Sequence, residues 1–258
     1  MARRSRKSNI YKRLFFCLIF INLLFLGYLI FQKTEWFSYL ENKFHQTFIR
    51  SSIPEGDYIY GIDVSQYQGI IDWNKLNSKT NSYLVDFVLI RATAGKNHRD
   101  IYYTYNWKES KKNDIIRGAY HYYRPNENST EQAKNFIANV KLEPKDFPPI
   151  LDIEQLSKIQ SLESLKEGIK NWLNLIEAHY GIKPILYSGT YFYRDYLSDF
   201  KDYKIWVANY NNIVDPLPEK NWIMWQFSDN GSVEGIEGPV DQDLFRGNKK
   251  DLNLYLLK

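Results

Sequence analysis

The chain has 258 residues, 44% hydrophobic and 17% aromatic, enough to bury one large core and about the length of a single-domain α/β barrel. Its net charge of +4 is concentrated at one end: Arg3, Arg4, Arg6, Lys7, Lys12 and Arg13 take six of the 34 basic residues, leaving 28 against 30 acidic ones. That balance excludes the basic surface nucleic acid requires, and the single cysteine, Cys17, excludes a disulfide framework or a cysteine metal site in the body.

The first element in chain order is the apolar run from Leu14 to Phe31, broken by Asn22. Its length predicts a single transmembrane helix over 14–31, and the cations of 1–13 predict that this end stays in the cytoplasm. The expected layout is then a polar stalk over 32–57 and a body over 58–258, held to the cytoplasmic membrane and exposed on its extracytoplasmic side. A cleaved signal peptide fits less well, because Leu29-Ile30-Phe31-Gln32 offers no small-x-small cleavage site.

From Tyr58 onward, short β-rich runs alternate with helical stretches. Strands are predicted over 59–64, 87–92, 118–123, 148–154 and 184–187, then near 204–208, 222–226 and 239–243. Helices are predicted over 72–76 with Asp72 as cap, up to about Asn113, over 129–140 from a Ser129 cap, over 162–180 and, weakly, over 190–199. Strands separated in this way form parallel βαβ units. The implied fold is a TIM-like (β/α) barrel with five regular βα units and three helix-poor strands, its site at the C-terminal strand ends. Asp63, His121, Asp152, Glu154, Tyr187, Ala208, Gln226 and Asp241 fall there.

The clearest chemical signal is Asp152-Ile153-Glu154 at the end of an apolar run. Alternation on a strand puts the two carboxyls on one face, roughly 7 Å apart, where repulsion raises one pKa. A carboxylic acid still protonated near neutral pH is what a glycoside hydrolase needs to protonate a leaving oxygen. A strand ending in a solvated acidic turn is the plainer alternative. The 21 Tyr and 7 Trp serve a core or stack on sugar rings, and composition does not choose. His45, His98, His121 and His179 lack metal-ligand spacing, so no metal and no other cofactor is expected.

Tyr60-Gly61-Ile62-Asp63-Val64-Ser65-Gln66-Tyr67-Gln68-Gly69 with Ile71-Asp72-Trp73 resembles the opening of the glycoside hydrolase family 25 lysozymes, the N-acetylmuramidases. Arg91-Ala92-Thr93, Gly118-Ala119-Tyr120-His121-Tyr122 and Pro149-Ile150-Leu151-Asp152-Ile153-Glu154 continue the likeness in order. Pro184-Ile185-Leu186-Tyr187, Trp206-Val207-Ala208-Asn209-Tyr210, Trp225-Gln226-Phe227 and Val240-Asp241 extend it across roughly 58–256. The resemblance implies that Glu154 is the general acid and later the base in cleaving peptidoglycan between N-acetylmuramic acid and N-acetylglucosamine. It implies that Asp63, Asp152 and Asp241 complete the acidic site, and that His121, Tyr122 and Gln226 line the cleft, with a buried, hydrogen-bonded role for His121 as the alternative. Tyr187, Trp206, Tyr210 and Trp225 are either sugar platforms or barrel core. One position departs: the family commonly carries an acid where this chain has Ala94.

The sequence therefore points to a membrane-anchored muramidase acting on peptidoglycan glycan strands. A non-catalytic glycan-binding barrel and a chitinase-like glycosidase are the alternatives. The latter normally has a further Asp where this chain has Ile150.

Overall fold

In the computed structural model the described residues are 15–28, 54, 56–77, 84–210, 216–217 and 221–258. The chain divides after Ser51, and the barrel belongs to the second unit, Ser52–Lys258.

Residues 15–28 are helical. Among the described residues no helix is long and apolar enough to cross a membrane. This corrects the expected transmembrane helix over 14–31: of that run the structure describes residues 15–28, and they do not form such a helix. Asn22, the polar break in the run, donates from Nδ2 to the Leu18 carbonyl at 2.8 Å. Position 14, positions 29–31, the basic segment 1–13 and nearly all of the expected stalk lie outside the described residues.

In the body, alternation along each strand feeds two separate cores. On β1 (Tyr58–Val64), Ile59 packs with one apolar cluster while Tyr60, Ile62 and Val64 pack with the other. The strands that follow are β2 (Phe87–Ala94), β3 (His98–Arg99), β4 (Ile116–Tyr122), β5 (Ile150–Asp152), β6 (Ile185–Gly189), β7 (Lys204–Ala208), β8 (Trp222–Gly231) and β9 (Val240–Arg246). Hydrogen bonds run β1-β9-β8-β7-β6-β5-β4-β2 and close through β1–β2, giving an eight-strand barrel with β3 as a short flap on β2. The inner core fills the lumen with Phe87, Leu89, Phe147, Ile150, Trp206 and Phe245. Gly61 makes room there, since a Cβ would stand 2.4 Å from the Phe87 ring. The outer core lies between the barrel and helices α1 (Tyr103–Lys112), α2 (Ser129–Asn139) and α3 (Leu162–Tyr180).

The barrel is not the all-parallel TIM-like ring that strand counting predicts. Its sheet is mixed, because β9 runs antiparallel to both β8 and β1. Only residues 232–239 separate β8 from β9, too few for the dozen or so residues of a parallel crossover, so the chain turns back as a hairpin. Local differences have similarly plain causes. The strand expected over 148–154 shortens to Ile150–Asp152, with Pro148 and Pro149 unable to donate to a ladder. The helix expected over 72–76 is a turn. The cap of α2 is Asn128, whose side chain accepts from Glu131 N at 3.0 Å. A final helix, α4 (Lys249–Tyr255), was not expected; Asn248 opens it with a capping box, and its Leu252 joins the lumen core.

Candidate active site

The C-terminal ends of β1, β5, β7 and β8 and the N-terminal end of β9 gather at one mouth of the barrel. The antiparallel register sets Asp63 opposite Asp241 and Gly61 opposite Asp243, while Gln226 on β8 is also opposite Asp243. Carboxyls from β1 and β9 thereby meet over the lumen.

Gln226 is the hub of this group. Its Nε2 donates to Asp63 Oδ2 at 2.6 Å, and its Oε1 accepts the hydroxyls of Tyr187 at 2.8 Å and Tyr210 at 2.7 Å. Beneath it, Trp206 Nε1 donates to Asp243 Oδ1 at 2.7 Å. The Trp206 ring lies against Tyr187, with centroids 4.2 Å apart, and is 1% exposed. Trp206 thus lies in the floor of the site and offers no face to a sugar, while Tyr187 above it borders the pocket. Burial raises Asp63 well above the usual carboxylate range, and the neighbouring Asp243 and Asp241 raise it further.

Asp152 closes β5, and Glu154 lies two residues on, beyond the strand and open to solvent. Their carboxyls are within hydrogen-bonding reach. Burial is the main cause of the raised pKa of both; the charge of Glu154 adds to it at Asp152. This corrects the expectation that repulsion dominates. The hydrogen bond between them acts in opposite directions, raising Asp152 and lowering Glu154. Asp152 Oδ1 is buried with no hydrogen-bond partner among the described residues. Arg91, whose Nε is held by Asp100 Oδ2 at 3.0 Å, is the cation that opposes these shifts at Asp152.

Asp241 is half-buried, and burial, Asp229 and Glu154 together raise it to about 7. The Tyr122 hydroxyl, itself raised by burial and by Glu154 and Asp152, accepts from Gln155 Nε2 at 3.1 Å. An open pocket of about 540 Å³ adjoins Glu154 and Tyr187, walled by Tyr191 and Tyr210. These two rings are 69% and 48% exposed, and Arg194 lies over the Tyr191 ring, 5.2 Å from its centroid.

Two expected residues face the other way. His121 is fully buried beneath α2 and α3, stacked on Trp172 at 5.5 Å. Its Nε2 donates to Gln132 Oε1 at 3.1 Å, so its Nδ1 accepts from the Thr93 hydroxyl at 2.7 Å; burial lowers its pKa to about 4. Trp225 packs in the outer core and donates from Nε1 to the Asn209 carbonyl at 2.7 Å. Strand parity explains both, because His121 alternates with Tyr122 and Trp225 with Gln226, and only one of each pair reaches the lumen side. Conversely, Asp243, Asp229 and Tyr191 belong to the site but were not expected there. Asp241-Gln242-Asp243 repeats the spacing of Asp152-Ile153-Glu154, so Asp243 was readable. Asp229 follows a register shift in β8, which breaks the parity that would have located it. Ala94 ends β2, and the nearby Lys96 amide donates to the Glu127 carboxylate at 2.6 Å.

Comparison with known proteins places this geometry in a familiar group. The family model for Glycosyl hydrolases family 25 matches residues 62–236. The chain is 38% identical over 206 residues to the Uncharacterized protein YegX of Escherichia coli strain K12, covering 79% of this chain and 75% of that protein. It is 30% identical over 205 residues to Lysozyme M1 of Streptomyces globisporus, covering 74% and 68%. Among solved structures, a family 25 glycosyl hydrolase from Bacillus anthracis superposes with a TM-score of 0.69 at 30% identity, over 76% of this chain and 93% of that one.

Proposed function

The chain belongs to glycosyl hydrolase family 25 and is a lysozyme-type glycoside hydrolase, and we propose that it cleaves the β-1,4 bond between N-acetylmuramic acid and N-acetylglucosamine in peptidoglycan, with Glu154 as proton donor. What supports this reading is the carboxyl pair of Asp152 and Glu154 at the mouth, close enough to share one proton, with Asp152 Oδ1 buried and without a partner among the described residues.

An orphaned, buried acceptor is costly unless a ligand supplies a donor. The N–H of a sugar's 2-acetamido group is such a donor, and a hydrogen bond to Asp152 favours its charged form. Substrate binding then moves the shared proton to Glu154. Glu154 gives it to the glycosidic oxygen as the C1–O bond breaks, and the acetamido carbonyl oxygen bonds to C1, forming a cyclic oxazolinium. Water opens that ring from the opposite face, losing its proton to Glu154, so the configuration at C1 is retained and the enzyme regains its starting state. Asp63 and Asp241 supply negative potential for the oxocarbenium-like transition state. Tyr210 and Tyr191 offer ring faces to the glycan. A peptidoglycan substrate supports a site of action outside the cytoplasmic membrane.

The test is digestion of purified peptidoglycan followed by mass spectrometry of the new reducing ends. Reducing-end muramic acid is expected. Reducing-end glucosamine would assign a different bond, and no cleavage would leave a glycan-binding barrel.

A further inference from the structure

The strand that carries the acidic pair ends abruptly. Asp152 is the last residue of β5, and its register partner on β6 is Tyr187. One more backbone bond follows, from Ile153 N to the Tyr187 carbonyl at 3.1 Å. The next acceptor, the Ile153 carbonyl, takes a side chain: Ser188 Oγ donates to it at 2.7 Å. Ser188 is fully buried and alternates with Tyr187 along β6, so it points away from the lumen and out of reach of a glycan. Yet the carbonyl it holds belongs to the peptide that joins Ile153 to Glu154, and a peptide moves as one rigid plane. A buried hydroxyl on β6 thus fixes the direction in which the chain carries Glu154 out of the sheet and into solvent.

We propose that Ser188 is a positioning residue for Glu154: by holding the Ile153 carbonyl it orients the peptide from which Glu154 rises, and so sets the place of its carboxyl beside Asp152. Ile153 is itself fully buried, and a buried carbonyl deprived of its donor turns toward another, rotating the 153–154 peptide with it. Ser188 carries no charge, so it acts on Glu154 through geometry alone. Glu154 faces Asp152 on β5, Tyr122 on β4, Tyr187 on β6 and Asp241 on β9, and its closeness to the first of these governs how strongly one charge opposes the other. The inference rests on the reading that Glu154 is the proton donor.

Three full-length variants, Ser188→Ala, Ser188→Thr and Glu154→Gln, test it by kcat, KM and the pH profile of kcat on a soluble peptidoglycan fragment. Alanine removes the donor, so Ser188→Ala should lose about 10- to 100-fold in kcat with KM little changed, the cost of a displaced proton donor. Its basic limb should also move to lower pH, because carboxyls drawn apart lose their last proton more easily. A neutral-for-neutral change far from the substrate moves that limb only by moving the pair. Threonine keeps the hydroxyl and suits a strand, so Ser188→Thr should restore kcat to within about fivefold of the parent and return the limb to its place. Parental kcat in Ser188→Ala overturns the proposal. So does a loss confined to KM, a lower kcat with the limb unmoved, or a folded Ser188→Thr as poor as alanine. If Ser188→Thr does not fold, the Ser188→Ala values decide alone. Glu154→Gln separates the two levels of argument: near-parental turnover there removes the role given to Glu154 and the proposal with it. Inactive Glu154→Gln beside parental Ser188→Ala removes the proposal and leaves the role of Glu154 standing.

Discussion

The barrel mouth holds two pairs of touching carboxyls that differ in their access to the outside. Asp152 and Glu154 form a pair that is open at Glu154, which stands in solvent, while Asp152 is 5% exposed with its Oδ1 buried. Asp63 and Asp243 form a closed pair, 4% and 0% exposed and clamped by Gln226 and Trp206. Burial raises the pKa of both pairs, but only the open pair can pass its proton to a substrate. Access, more than pKa, divides the labour.

The sharpest way to break this comparison is Glu154→Gln, which keeps shape but removes the transferable proton. Turnover should fall by about 10² to 10⁴ while glycan binding survives. Near-normal turnover would move the donor elsewhere. Asp152→Asn should cost less, roughly 10- to 100-fold for a lost orienting acceptor. It should also shift the basic limb of the pH profile to lower pH, because the last proton of the open pair then leaves without a second charge beside it. A limb that stays in place would mean the pair does not titrate as a unit.

On the closed side, Gln226→Leu strands the Tyr187 hydroxyl and one oxygen of Asp63, so stability should fall by about 1–3 kcal/mol in chemical denaturation. An unchanged midpoint would show that Gln226 is not the hub. The smallest effect is expected at Asp241. Its folded-state pKa of about 7 exceeds the ordinary carboxylate value. The folded protein therefore binds more protons than the unfolded chain between about pH 4 and 7, and stability falls as pH rises through that window. Asp241→Asn should raise the melting temperature at pH 8 by about 2–4 °C and leave it nearly unchanged at pH 4. Equal shifts at both pH values would rule out this origin.

Much of this was legible in the sequence because strand parity and turn chemistry are local. β7 begins and ends where apolar patterning puts it, and α3 runs from its Ser161 cap to the left-handed Gly181. The acids at strand ends were also readable, since Asp63, Asp152, Glu154 and Asp241 do gather. Facing was left open where motif blocks were read whole: a buried, hydrogen-bonded His121 and a core Trp225 stood as alternatives, and strand parity, which points neighbours apart, decides for both. Strand direction was lost for a different reason. No residue of β9 encodes antiparallel pairing; only the shortness of 232–239 does, and that is a property of the connection.

The reversed strand has a practical consequence. Tyr58 is paired with Arg246, so the barrel's first strand starts and its last strand ends at the same pole, away from the acids. The residues after β9 stay there: α4 caps the lumen, and backbone bonds between Leu257 and the Lys145–Asp146 turn pin the C-terminus. A bead, tag or fused protein joined through Lys258 therefore leaves the cleft facing outward, suited to an insoluble, mesh-like polymer that must come to the enzyme's open side.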